Sequence, residues 1–343
     1  MTAPVREHGL IERLAGAFRG SPSQLNRRHE SDAELLRLPG SGVVLALTTD
    51  AVVEEIAFGL YSDPWLIGWM AVTVNASDLA AVGAEPLGIL MSIALPPDAS
   101  DDLVAGLRTG LGAAADAHGL PVIGGDTSRG ATLSLTGTAV GLVSPGRPLT
   151  RCGARPGDRL FATGRLGLGG AYALGRLLPG SAPEVTFRPL ARLREGRLLR
   201  RVASCAMDTS DGLIATLDEL ARRNGCGFSL ATPVEEVLHQ DALRAATAAH
   251  LPPRLMLAGP HGEFELVFTV PSDRCDALTA GAADAGWAPV ELGVVTGEPG
   301  VVNLGAGGGP IDTTRVRNLF EDIGGDPRSY LRALNALLEP PTM

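Results

Sequence analysis

A two-domain α/β protein is predicted by three features of the sequence. Its 343 residues exceed what one hydrophobic core usually serves. The composition is 45% hydrophobic with 44 glycines and only 4% aromatic, which points to small aliphatic packing and many turns. Strand-like apolar runs alternate with longer helical ones, and a Pro- and Gly-rich tract, "SPGRPLTRCGARPGD" (144–158), separates two such series. The boundary is placed there, giving domains over 1–148 and 149–343.

The elements follow in order. Leu10, Ile11, Leu14 and Phe18 have the spacing of a helix over 8–18, and a polar loop follows. "GVVLALTTD" (42–50) reads as a buried strand, and "DPWLIGWMAVTVNASDLAAVG" (63–83) as a helix opened by Asp-Pro. "LGILMSIALP" is a strand, and "SDDLVAGLRTGLGAAADAHG" is a helix with a serine cap and an acidic first turn. "LPVIGGD" reads as a buried strand ending at Asp126, and 131–143 alternates as a strand with one exposed face. The second series gives strands at 159–163, 227–231, 264–270 and 289–296. Its helices are expected near 169–178, 189–203, 273–286 and 327–338, with "GAGGGP" as loop. No internal repeat stands out.

Charge and residue usage exclude several functions. A net charge of −9 cannot neutralise phosphates in bulk, so nucleic-acid and anionic-membrane surfaces are not expected. All 29 basic residues are arginine, which removes P-loop and Schiff-base lysines. The four cysteines lie far apart, suggesting neither a zinc site nor a disulfide framework. The six histidines are dispersed and read as surface or capping residues. With no apolar run of about 18 residues and no secretory h-region, a cytoplasmic location without membrane contact is expected. "GRLGLGG" (164–170) misses the dinucleotide fingerprint because Tyr172 stands where glycine is needed, so it reads as a tight turn.

The chemistry lies in aspartates at the ends of apolar elements, each flanked by Ser, Thr or Gly. They are Asp32 in "ESDAELL", Asp50 in "LALTTDAVV", Asp78 in "VNASDLAAVG", Asp126 in "VIGGDTSRG", and Asp208 and Asp211 in "AMDTSDGLIA". One such Asp is adequately explained as a helix cap or turn residue. Several brought together would repel unless a cation sat among them. All-oxygen ligands select Mg²⁺, which commonly holds nucleotide phosphates. Gly124 and Gly125 would let backbone N–H groups approach a phosphate without lysine.

The ordered series "TTDAVVEEIAF", "VNASDLAAVGAEP", "IGGDTSRG", "PLTRCGARPGD" and "MDTSDGL" resembles the thiamine-monophosphate kinases. These belong with aminoimidazole ribonucleotide synthetase, selenophosphate synthetase and a hydrogenase-maturation dehydratase. The resemblance, spanning about residues 10–270, implies an N-terminal metal- and ATP-binding domain that dimerises, a C-terminal α/β domain, and ATP with Mg²⁺ in the cleft between them. It implies Asp32, Thr48, Thr49, Asp50, Asp78, Asp126, Asp208 and Asp211 at the metals, and Gly124, Gly125, Asp126, Arg151 and Ser210 at ATP. Asp211 and Arg151 are the candidate catalytic groups, and Glu263 the candidate contact to a small-molecule acceptor.

Departures from the family pattern gather on the acceptor side. Ala57 replaces a substrate-contacting histidine, "PHGEFEL" is one acid short of "GGEDYEL", and a C-terminal aromatic segment is not recognisable. Ser31 also replaces one carboxylate of a "GDD" run. The expected activity is transfer of the γ-phosphoryl group of ATP to a small acceptor that need not be thiamine monophosphate. The alternatives are a synthetase or dehydratase that activates an amide or carboxylate oxygen with ATP, and a non-catalytic nucleotide-binding paralogue.

Overall fold

A computed structural model of the chain describes residues 5–143, 146–305, 309–324 and 326–338. Helix α1 (Arg6–Ala15) precedes the loop to β1 (Glu34–Arg37), then β2 (Val44–Ala51), α2 (Val53–Ala57), α3 (Pro64–Ala81), β3 (Glu85–Leu95), α4 (Asp101–His118), β4 (Val122–Arg129) and β5 (Ser134–Leu142). These strands form one sheet in the order β1-β2-β5-β3-β4. Only β3 and β4 pair in parallel, because α4 carries the chain from one back to the start of the other.

The second half begins at β6 (Arg159–Ala162), followed by α5 (Leu168–Leu177), α6 (Leu193–Leu199), β7 (Cys205–Asp208), α7 (Leu213–Asn224), β8 (Gly227–Leu230), α8 (Val234–Val237) and α9 (Gln240–Ala248). Then come β9 (Leu266–Val270), α10 (Cys275–Asp284), β10 (Val290–Thr296), β11 (Val302–Leu304), α11 (Thr313–Ile323) and α12 (Pro327–Leu338). Its sheet has the order β11-β8-β10-β6-β9-β7. The expected loop "GAGGGP" lies partly outside the described residues.

Helix α3 joins the halves. It is apolar on every side and buried from Leu66 to Ser77, as a helix covered all round must be. Asp63 caps it by accepting from the Trp65 N–H at 3.0 Å, and Trp69 Nε1 donates 2.9 Å to the Pro189 carbonyl. Helix α6 packs so closely on it that a Cβ on Gly196 would strike the Ala80 carbonyl. The core around α3 therefore runs on into Phe161, Phe268 and Leu199 of the second half.

Several expectations change. The stripe on α1 does not enter a core: Leu10, Leu14 and Phe18 are exposed, because the helix meets the rest of the chain through its polar residues, Arg6 pairing with Asn318 and Asp322 of α11. The helix expected over 189–203 shortens to α6. The strand around Asp126 is not buried. It runs on to Arg129 as the sheet's edge, exposed throughout, so Asp126 lies within a strand and caps nothing. His118 and His261 are buried, against the expectation of surface positions. His239 does act as a cap, accepting from the Asp241 N–H at 3.1 Å.

Candidate active site

Three elements end at one point. The last turn of α3 presents Asp78, β7 ends on Asp208, and the loop before β1 brings Asp32, so that a carboxylate oxygen from each lies within 4.8 Å of the others. Thr48, on β2, donates to Asp78 Oδ2. Ser77 Oγ donates to Asp208 Oδ2 at 2.6 Å and Ser210 Oγ to Asp208 Oδ1 at 2.9 Å. Asp50 is placed by Asn75, whose side-chain oxygen accepts from the Asp50 N–H at 3.0 Å.

The electrostatics are those of a cation site. Burial pushes Asp78 well above the usual carboxylate range, and Asp208, Asp50 and Asp32 push it further. Burial, then Asp32, lifts Asp208 to about 7. Asp50 stands on the solvent side of the group, yet desolvation still raises its pKa. Arg151 answers only part of this charge: Nη2 donates 3.1 Å to Asp32 Oδ1, while Asp32 Oδ2 and Ser31 Oγ are buried without a hydrogen-bond partner. Unpaired buried oxygens among mutually repelling carboxylates fit a hard divalent cation.

The other expected residues stand apart or have local duties. Thr49 Oγ1 donates to the Gly137 carbonyl at 2.9 Å. Asp211 opens onto a small cavity that it shares with Glu7 and Arg317. Asp126 pairs with Ser92, Ser92 with Thr136, and Thr136 with Ala51. Three strand steps, roughly 14 Å, thus separate it from the end of β2 beside Asp50. Gly125 has a packing reason of its own, since a Cβ there would collide with the Met91 carbonyl. Glu263 is buried and accepts from the Gly167 N–H at 2.6 Å and Thr209 Oγ1 at 3.0 Å, so it ties the start of α5 to the turn after β7.

A cavity of about 160 Å³ opens between α2, α5 and α12, walled by Phe58, Leu174, Met256, Phe320 and Tyr330. That is close to the size of engineered cavities that admit one benzene ring. Glu55 and His261 form its polar end. Glu55 Oε2 is buried without a partner, and burial, with Asp50 and Asp211 nearby, lifts its carboxyl to about 7. His261 accepts or donates 2.7 Å to Tyr61 Oη, and burial lowers its pKa to about 4. Sequence reasoning missed Glu55, Asn75 and Ser77. Asn75 was findable, because it sits one helical turn before Asp78 on the same face.

The family described as "AIR synthase related protein, N-terminal domain" matches residues 30–143, and the corresponding C-terminal domain matches 155–304. The chain is 33% identical over 287 residues to the thiamine-monophosphate kinase of Salmonella typhimurium, covering 81% of this chain and 85% of that protein. It is 36% identical over 267 residues to that of Synechococcus elongatus, covering 72% and 78%. The solved thiamine-monophosphate kinase of Stenotrophomonas maltophilia superposes with a TM-score of 0.67 at 31% identity, covering 87% of this chain and 96% of that one.

Proposed function

The chain belongs to the thiamine-monophosphate kinase family of AIR-synthase-related proteins and is an ATP- and Mg²⁺-dependent kinase, and from that premise we propose how its residues divide the work. The observation that carries the reading is the convergence of Asp32, Asp78 and Asp208. With Thr48 bonded to Asp78 and Asp50 close enough to raise its pKa, these residues would hold Mg²⁺. Held there, Mg²⁺ would supply charge neutralisation for the phosphates of ATP. Arg151, oriented by Asp32, supplies the fixed cation beside them, and Ser210 the hydroxyl at the turn after β7.

Phosphoryl transfer needs positioning more than a strong base. The small-molecule acceptor would seat its apolar part in the cavity between α2, α5 and α12, with Glu55 accepting a hydrogen bond from it. Asp211 would orient the attacking oxygen. The relatives are named for thiamine monophosphate, but Ala57, at the exposed end of α2, offers no hydrogen bond where the family pattern has histidine. Glu263 and its neighbour Glu265 are occupied by protein groups. A site lacking its ligand's polar partners discriminates by as much as about 10⁴-fold. Thiamine monophosphate is therefore expected to be used poorly. Incubation with Mg-ATP and candidate acceptors, followed by ³¹P NMR, tests this; thiamine diphosphate formed at ordinary kinase rates, ~1–100 s⁻¹, would refute the acceptor reading and leave the kinase reading intact.

We also read the protein as a homodimer. The face of the first sheet turned away from α3 carries Leu45, Leu47, Val140 and Leu142 half-buried and Leu90 exposed, an apolar surface that a second copy would cover.

A further inference from the structure

Near Arg151, whose charge acts on both His29 and Glu219, a second and different donor set meets. His8 of α1, His29 of the loop before β1 and Glu219 of α7 each bring one ligand atom within 4.8 Å of the others. His8 Nε2 lies 3.1 Å from Glu219 Oε2, and the two imidazole centroids are 4.7 Å apart. Three separate stretches of chain converge here, and the function described above uses none of these side chains.

Two observations show that the cluster is more than a hydrogen-bonded patch. His29 Nε2 is buried and has no hydrogen-bond partner; its nearest carboxylate, Glu12, stands 3.9 Å away. A buried imidazole nitrogen left without a partner is costly. His29 also holds φ at 62°, the left-handed region that non-glycine residues rarely occupy and that recurs at ligand clamps.

We propose that His8, His29 and Glu219 form a site for a borderline transition-metal ion, Zn²⁺ in character, separate from the aspartate cluster. Two imidazoles and one carboxylate select such an ion over Mg²⁺, and three protein ligands leave a position for water. The support around the carboxylate suits a ligand: Arg223 Nε donates 2.8 Å to Glu219 Oε1, and Arg317 Nη1 lies 3.2 Å from Oε2. Such outer contacts fix a ligand's orientation. Each surrounding guanidinium has a carboxylate partner: Arg28 faces Glu12, Arg317 faces Glu7 and Asp218, Arg223 pairs with Glu219 and Arg151 with Asp32. The ion would clasp the N-terminal segment to α7 and so steady the loop that delivers Asp32 to Arg151.

Co²⁺ titration of the metal-stripped full chain in the Asp78→Asn background tests this, because that substitution removes the competing aspartate site. One equivalent should bind, with the visible absorption of a nitrogen-ligated Co²⁺ and with no displacement by millimolar Mg²⁺. His8→Ala and His29→Ala should each weaken binding by at least about tenfold, since even an outer-shell loss costs that much. His8 lies on a helix with few buried residues, so His8→Ala should melt like the parent in EDTA. Absence of the nitrogen-ligated spectrum, or a spectrum and affinity unchanged in His8→Ala, would overturn the site.

Discussion

Asp208 shows what a single residue contributes and costs. Its folded pKa of about 7 lies above the ordinary 3.8, so between these values the native state holds a proton that the unfolded chain has released. Metal-free stability should therefore fall as pH rises through that window. The urea midpoint in EDTA should drop between pH ~4 and ~7, and Asp208→Asn should flatten that slope. Mg²⁺ should restore stability most at the high-pH end, because it competes with protons for the same oxygens. Arg151 is a second case. Arg151→Ala strands Asp32, only 1% exposed, and should lower stability by roughly 3 kcal/mol while weakening Mg-ATP binding, measured by denaturation and calorimetry. Asp32, Asp50, Asp78 and Asp208 were legible because each sits beside Ser or Thr at an element end. Glu55 was not, because nothing in "VEEIAF" tells which glutamate turns into a cavity.

At the level of elements, β4 is the most informative strand. The motif "GGDTSR" is easily found, yet it lies on an exposed edge about three strands from β2. Asp126 stands three strand steps from the end of β2, and we infer that in a dimer formed through the open face of the sheet it would serve the partner's cluster rather than its own. Subunit mixing distinguishes the two arrangements. Asp78→Asn and Asp126→Asn should each be inactive alone, and mixed dimers should regain one working site of two, read as ATP turnover. No recovery on mixing would place both carboxylates in one chain's site. Helix α3 was legible from its Asp-Pro start and length, whereas β1 and α2 were missed because they are only four and five residues long; α11 was missed although Val316, Leu319, Phe320 and Ile323 carry helical spacing.

For the whole molecule, light scattering at micromolar concentration should return twice the 35.4 kDa chain mass, and ATP binding should collapse in EDTA. Among the described residues no helix is long and apolar enough to cross a membrane. The sequence by itself determined the α/β class and the family, and it singled out the aspartates proposed to hold the metal, because strand and helix periodicities and short motifs are local and survive without knowledge of the fold. Only the tertiary structure decided which carboxylates meet. It drew Asp32, Asp78 and Asp208 together across α3 and β7, left Asp126 on a distant edge, and gathered two dispersed histidines against Glu219. Those outcomes depend on how helices and sheets pack over separations of more than a hundred residues, and no local pattern records that distance.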